Sequence, residues 1–121
     1  DKTKRPLMAA AAARASTLTL ITSDNPRTED PHAIIKDMLA GVNDSEVQAL
    51  NSSAVKQGTH GYYVIEDRAA ALKLAVEVLE TGDVLLVAGK GHEDYQIIGT
   101  TKHHFDDREH LREALNKRAA V

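Results

Sequence analysis

The run Val84-Leu85-Leu86-Val87-Ala88 constrains the fold more than any other stretch of this chain. Apolar residues in unbroken succession, β-branched or Leu for the most part, predict a strand buried on both faces, as in a parallel α/β sheet. The run breaks into Gly89-Lys90-Gly91, followed by His92, Glu93 and Asp94. In open α/β sheets, ligands bind beyond the carboxyl ends of the strands, which is where these polar groups fall. A second stretch has the same form: Leu18 to Thr22, then Ser23-Asp24-Asn25-Pro26-Arg27. The expectation is that the two loops face one ligand.

The rest of the chain alternates helix and strand. Pro6 suits the first turn of a helix running through Leu7, Met8 and the alanines Ala9 to Ala13, because its fixed φ is already helical. Such a narrow alanine face is expected to pack closely on a sheet. Thr17 to Thr22 reads as a strand. Asp30-Pro31 predicts a helix start, with a capping carboxylate followed by proline. That helix carries Ile34, Ile35, Met38 and Leu39 on one face and is expected to stop at Gly41. Asn43 to Gly61 is polar and weakly patterned, and predicts a partly helical surface excursion. Tyr62 to Ile65 is a short strand. Asp67 caps an amphipathic helix with Leu72, Ala75, Val76 and Leu79 inward, ending at Gly82. Tyr95 to Ile98 and Lys102 to Phe105 form a hairpin about Gly99-Thr100-Thr101. Asp106 or Asp107 caps a last helix with Leu111, Ala114 and Leu115. The pattern predicts one three-layer α/β domain over residues 1–121, with a C-terminal hairpin. Its N-terminal strand is expected to be missing, because the order opens on a helix. Lacking an initial Met, the sequence reads as a piece of a longer protein.

Composition narrows the function classes. A net charge of -3 over 121 residues gives no positive field for nucleic acid or anionic membrane. Cysteine is absent, which excludes disulfides and is compatible with a reducing cytoplasm. No apolar run approaches the ~20 residues needed to cross a bilayer. Asp1-Lys2-Thr3-Lys4-Arg5 has no apolar core behind it and is not a secretory signal.

Each loop has a functional reading and a plainer one. Pro26 stiffens its loop and keeps Asn25 out of the helical region. Arg27 can then grip a carboxylate through two parallel hydrogen bonds, and Asn25 offers both donor and acceptor. The plainer reading is a turn in which Asp24 and Asn25 bond their own backbone while Arg27 is solvated. In the second loop, Gly89 and Gly91 allow close backbone approach, and Glu93 can accept from a cation such as an ammonium. Here the plainer reading is a capping carboxylate in a tight turn. A phosphate cradle fits poorly, since Lys90 is followed by Gly91 rather than Ser or Thr, and G-x-G-x-x-G lacks its third glycine. Six histidines invite a metal reading through His92, Glu93, His103 and His104. Adjacent strand residues point to opposite faces, and no ligand spacing recurs, so no metal site is expected. No nucleophile arrangement can be built.

With these loops in view, a family resemblance emerges. Thr22-Ser23-Asp24-Asn25-Pro26-Arg27-Thr28-Glu29-Asp30-Pro31 and Val87-Ala88-Gly89-Lys90-Gly91-His92-Glu93-Asp94-Tyr95-Gln96 closely resemble the C-terminal domain of Mur ligases that add meso-diaminopimelate to UDP-N-acetylmuramoyl-L-alanyl-D-glutamate. Asp1 to Met8, Glu66-Asp67-Arg68 and Phe105 to Glu109 add to the likeness, which covers all but 43–61. The resemblance implies a Rossmann-like, mostly parallel sheet flanked by helices. It implies that Asp24, Asn25 and Arg27 recognise diaminopimelate, with Arg27 on the distal carboxylate. Gly89 and Glu93 would contact the same end, Glu93 pairing with its ammonium. Relatives that add lysine lack this arginine, as a substrate without a second carboxylate requires. An unmatched Arg27 would forfeit roughly 1.5–3 kcal/mol, tenfold or more in selectivity.

The resemblance further implies a cytoplasmic, ATP-dependent, amide-forming ligase of peptidoglycan precursor synthesis. ATP phosphorylates the D-glutamyl carboxylate, and the amine of diaminopimelate displaces the phosphate. The ATP loop, the Mg2+ site and most contacts to the UDP-N-acetylmuramoyl-dipeptide belong to N-terminal and central domains outside this sequence. The isolated chain is therefore expected to be inactive, with no residue in the catalytic role and no metal of its own. Lys2, Lys4 and Arg5 are nucleotide contacts by family position. The competing readings are a non-catalytic module for a small zwitterion and a general nucleotide-binding Rossmann-like domain.

Overall fold

The computed structural model describes residues 4–24, 29–90 and 93–119. The elements follow in the order α1 (Arg5–Ala15), β1 (Leu18–Ile21), α2 (Pro31–Asp44), α3 (Ser52–Lys56), β2 (Gly61–Val64), α4 (Arg68–Val78), β3 (Tyr95–Ile98), β4 (Thr101–His104) and α5 (Asp107–Ala119). The architecture is mixed α/β, as the alternating pattern predicts. β1 and β2 are parallel, with Leu18 opposite Gly61 and Ile21 opposite Val64. β3 and β4 form an antiparallel hairpin, with Tyr95 opposite His104 and Ile98 opposite Thr101. Gly99, with φ at 63°, opens the two-residue turn between them, the conformation such a turn demands of its first residue.

Local chemistry explains the helix starts. The Asp30 carboxylate accepts from the His32 amide at 3.0 Å, and Pro31 follows in the first turn. The Asp67 carboxylate accepts from the Ala69 amide at 3.2 Å. Asn51 does the same for α3, accepting from the Ala54 amide at 2.8 Å. α3 is the helical part of the polar excursion, and its Val55 is fully buried. Ala49 bridges to Tyr62 in parallel, so the residues before α3 run beside β2.

The main core lies where α1 and α2 cover one face of the parallel pair: Ala9, Ala13, Ile21, Ile35 and Val42, with Met38, Leu39, Tyr62 and Val64 packed against them. On the register, Ile21 and Val64 are partners and share a face. α4 rests against β1 and pairs with α5.

Four expectations need correction. The alanine face of α1 meets α2 far more than it meets the sheet. α2 does not stop at Gly41 but runs on to Asp44. A Cβ at Gly41 would stand 1.9 Å from the Pro6 carbonyl oxygen, so this glycine is a point of close helix contact rather than a terminator. α4 ends at Val78, with Leu79 already extended, and Gly82 instead serves a turn closed by the Glu80 amide on the Asp83 carboxylate at 2.8 Å. The largest correction concerns Val84 to Ala88. This run forms no strand, and Val84 and Leu86 are 92% and 85% exposed. Apolar character favours burial, but a strand exists only where a neighbour completes its hydrogen-bond ladder. Among the described residues no strand lies alongside this run.

Candidate functional site

The parallel pair delivers the first loop. Beyond Ile21, whose carbonyl accepts from the Ile65 amide at 2.9 Å, the chain stays tethered to the end of β2. The Thr22 hydroxyl donates to the Glu66 carbonyl at 3.1 Å, and the buried Ser23 hydroxyl donates to the same oxygen at 2.8 Å. Asp24 is thereby held at the sheet's carboxyl edge. Its carbonyl accepts from the Gln96 amide side chain at 2.8 Å.

The second loop is delivered by a different kind of support. Arg68, at the start of α4, is buried and holds Asp107 of α5 with two hydrogen bonds, Nε to Oδ1 at 2.8 Å and Nη2 to Oδ2 at 2.7 Å. Burial works against the guanidinium charge, but the Asp107 carboxylate outweighs it and leaves the Arg68 pKa raised. Nη2 also donates to the Ala88 carbonyl at 3.3 Å, fixing the run Val84 to Ala88 at its carboxyl end. Gly89 then takes φ of 106°, a conformation other side chains rarely adopt.

Lys90 joins the two loops. Its side chain has no solvent exposure, and Nζ stands 2.6 Å from Asp24 Oδ1. Nζ also donates to the Tyr95 carbonyl at 2.5 Å and lies 5.4 Å from the centroid of the buried Phe105 ring. Asp24 Oδ1 has no hydrogen-bond donor among the described residues, so the contact is one of charge, off a hydrogen bond's axis. That lysine charge is what compensates the buried oxygen. Three residues on, Glu93 receives the Tyr95 hydroxyl at 2.9 Å on Oε2. The Glu93 amide donates to the Lys90 carbonyl at 3.2 Å, closing the turn.

The far side of the first loop is anchored as well. Arg5 of α1 binds Glu29 with both terminal nitrogens, at 3.1 and 2.9 Å, and reaches Asp37 of α2 at 3.4 Å. The hydrogen bond that Arg5 donates to the Glu29 carboxylate raises the Arg5 pKa. Residues 25–28 are therefore bracketed by two ion pairs, Lys90 with Asp24 and Arg5 with Glu29.

Of the residues expected to contact a ligand, Asp24, Gly89 and Glu93 are brought to one end of the fold, linked through Lys90 and Tyr95. Asn25, Arg27 and Lys2, together with Pro26, Gly91 and His92, lie outside the described residues. Lys4 is exposed at the start of α1, and Arg5 is committed to Glu29 and Asp37. Sequence reasoning missed the buried role of Lys90 and the Arg68–Asp107 support. Position gave one clue: Lys90 stands one glycine beyond an apolar run, where a lysine can be drawn inward with its neighbours.

Lys90, the one cation of the glycine-rich loop, is sealed from solvent and paired. No group of three His, Asp or Glu residues converges for a metal among the described residues. The surface hollow along Glu109, Arg112, Glu113, Asn116 and Lys117 of α5 is built from one helix and lies on none of the loops. No helix among the described residues is long and apolar enough to cross a membrane.

A chain from Lactiplantibacillus plantarum named UDP-N-acetylmuramoyl-L-alanyl-D-glutamate–2,6-diaminopimelate ligase is 53% identical over 115 residues, covering 95% of this chain and 20% of its own length. A Geobacter metallireducens protein of the same name is 49% identical over 119 residues, covering 97% of this chain and 23% of its own. The solved structure of a ligase of that name superposes with a TM-score of 0.82 at 39% identity, covering 100% of this chain and 22% of that one. The chain thus spans about one fifth of the length of these relatives. The family profile "Mur ligase, glutamate ligase domain" matches residues 1–91, and the chain belongs to the Mur ligase family.

Proposed function

We propose that this chain is the amino-acid-binding domain of an ATP-dependent ligase that joins meso-diaminopimelate to UDP-N-acetylmuramoyl-L-alanyl-D-glutamate in cytoplasmic peptidoglycan precursor synthesis. The observation that carries the reading is the contact between Lys90 and Asp24, which draws the two loops to one end of the fold. The names of relatives about half identical to it over nearly its whole length support the choice of substrate.

In this reading Arg27 binds the distal carboxylate of diaminopimelate, Asn25 bonds its head group, and Glu93 accepts from its ammonium. Asp24 holds the base of the first loop. Gly89, with no heavy atom of the described residues within 4 Å of where a Cβ would stand, leaves room for the substrate. A zwitterion gripped at its distal end presents its other amine for attack on an acyl phosphate. That attack forms the amide C–N bond and releases phosphate. In this reading ATP, Mg2+ and the nucleotide substrate belong to the remainder of a longer polypeptide, with Lys2 and Lys4 as nucleotide contacts, while Arg5 is held by Glu29 and Asp37.

The deciding experiment compares diaminopimelate with lysine as substrate for the full-length polypeptide. We expect diaminopimelate to be favoured at least tenfold in kcat/KM, the worth of roughly 1.4 kcal/mol at the second carboxylate. Arg27→Ala should remove that preference and raise the KM for diaminopimelate far more than that for ATP. Equal use of the two amino acids by the unsubstituted enzyme would refute the assignment.

A further inference from the structure

Lys90, in the glycine-rich loop, has no part in the proposed substrate contacts. Its ammonium lies on the protein's inside, with the side chain wholly buried. Burying a lysine is costly unless its charge and donors are matched. Here each partner lies on a different element: Asp24 beyond β1, the Tyr95 carbonyl at the first residue of β3, and the Phe105 ring beyond β4. A lysine serving only the core's stability has no need to bridge the two loops that carry the ligand-binding groups. A neutral apolar residue would fill the same space at less desolvation cost.

We propose that Lys90 is a positioning residue for the amino-acid substrate, fixing Asp24, where the first loop leaves the sheet, relative to Glu93 of the second. The reading rests on the site being the diaminopimelate site. Two contacts set the spacing, one of charge and one a hydrogen bond. The contact to Asp24 fixes where the first loop departs from the sheet. The bond to the Tyr95 carbonyl fixes the residue whose hydroxyl holds Glu93. Because one ammonium makes both, a movement of either loop disturbs the other. In the proposed site, a substrate with a carboxylate and an ammonium at its distal end needs the Glu93 carboxylate held in a set place relative to Asp24, where the first loop leaves the sheet. Asp24 then acts through Lys90, and the two behave as one unit.

The test is a double-substitution cycle in the full-length polypeptide, with Lys90→Met, Asp24→Asn and the pair combined. The KM for diaminopimelate, the KM for ATP and the thermal midpoint are read for each. Each single change should raise the KM for diaminopimelate about tenfold, with the KM for ATP within about twofold. The combined change should do no worse than either alone, since non-additivity marks residues that act together. A purely structural role would instead reduce the folded fraction, lowering the apparent kcat for all substrates while leaving both KM values in place. That result, or additive effects on the diaminopimelate KM, would overturn the proposal. Should Lys90→Met not yield folded protein, Lys90→Gln removes the charge while keeping a donor for Tyr95, and the same criteria apply. Failure of the unsubstituted enzyme to prefer diaminopimelate over lysine would refute the site assignment and this inference together. A normal preference with an unmoved KM in Lys90→Met and Lys90→Gln would refute this inference alone.

Discussion

Leu18–Ile21 and Val84–Val87 are nearly the same sequence chemistry with opposite structural outcomes. The first is a strand paired to β2 along its whole length, and Ile21 is 4% exposed in the core. The second is unpaired, with Val84 and Leu86 open to solvent. Hydrophobicity alone does not separate them. What separates them is whether a neighbouring backbone completes the ladder and whether helices cover the face. β1 has β2 on one edge and α1 and α2 over its apolar side. The run at 84–88 is secured instead at its end, by Arg68 on the Ala88 carbonyl and by Lys90 beneath Asp24. One region is held by packing and the other by charge.

Substitutions can break that contrast, and the largest effect is expected where charge is buried. Arg68→Met strands Asp107 without its partner and releases the Ala88 carbonyl. A loss of about 3–5 kcal/mol is expected in denaturant unfolding. A loss under about 1 kcal/mol would mean the second region does not depend on its ion pairs. Ile21→Ala opens a cavity between α1, α2 and the parallel pair, and should cost about 3 kcal/mol by the same measurement. Gly41→Ala drives a methyl group into the Pro6 carbonyl and should cost about 1–3 kcal/mol, because α1 and α2 must move apart. Leu86→Ser, at a side chain already in water, should change stability by less than about 0.5 kcal/mol in this chain. A large loss there would show that the exposed run is covered in solution.

The smallest effect is one of pH. The Glu109 carboxylate raises the pKa of His104 above its ordinary 6.5, by hydrogen bonding and by charge. Protonated His104 is therefore favoured in the folded state. Its contribution is complete below about pH 6.5 and is lost as pH rises through the raised value. On the acid side, hydrogen bonding from Arg108 lowers the Asp106 pKa below 3.8, so that contribution holds above 3.8 and fades as pH falls through the lowered value. Thermal midpoints recorded across neutral pH should decline slightly on the alkaline side, and His104→Gln should flatten that decline. His104 is exposed on the hairpin and Asp106 is partly buried just before α5, where charge is the currency of the region.

Much of the first region was legible in the sequence because its signals are local. Asp30-Pro31 and Asp67 are caps written in single residues, and both helices begin where those residues dictate. Gly99 marks the hairpin turn through its own backbone freedom. The failures concern partners distant along the chain. Whether Val84 to Ala88 pairs depends on what lies beside it, and nothing in five apolar residues encodes a neighbour. Gly41 looks like a helix stop until Pro6 is seen pressed against it. The candidate site was legible as two loops of matching form. The lysine that joins them was not, because a Gly-Lys-Gly triplet reads more naturally as open to a ligand than as closed over an aspartate 66 positions earlier.

The two ion pairs at the edges of residues 25–28 carry a further consequence. Asp24 and Glu29 are each anchored by a cation that belongs to a different element, Lys90 in one case and Arg5 of α1 in the other. Each anchor ties a residue of one element to a cation on another, so the junctions on either side of residues 25–28 are set by contacts far apart along the chain. Losing one cation should therefore disturb its own junction and leave the other in place.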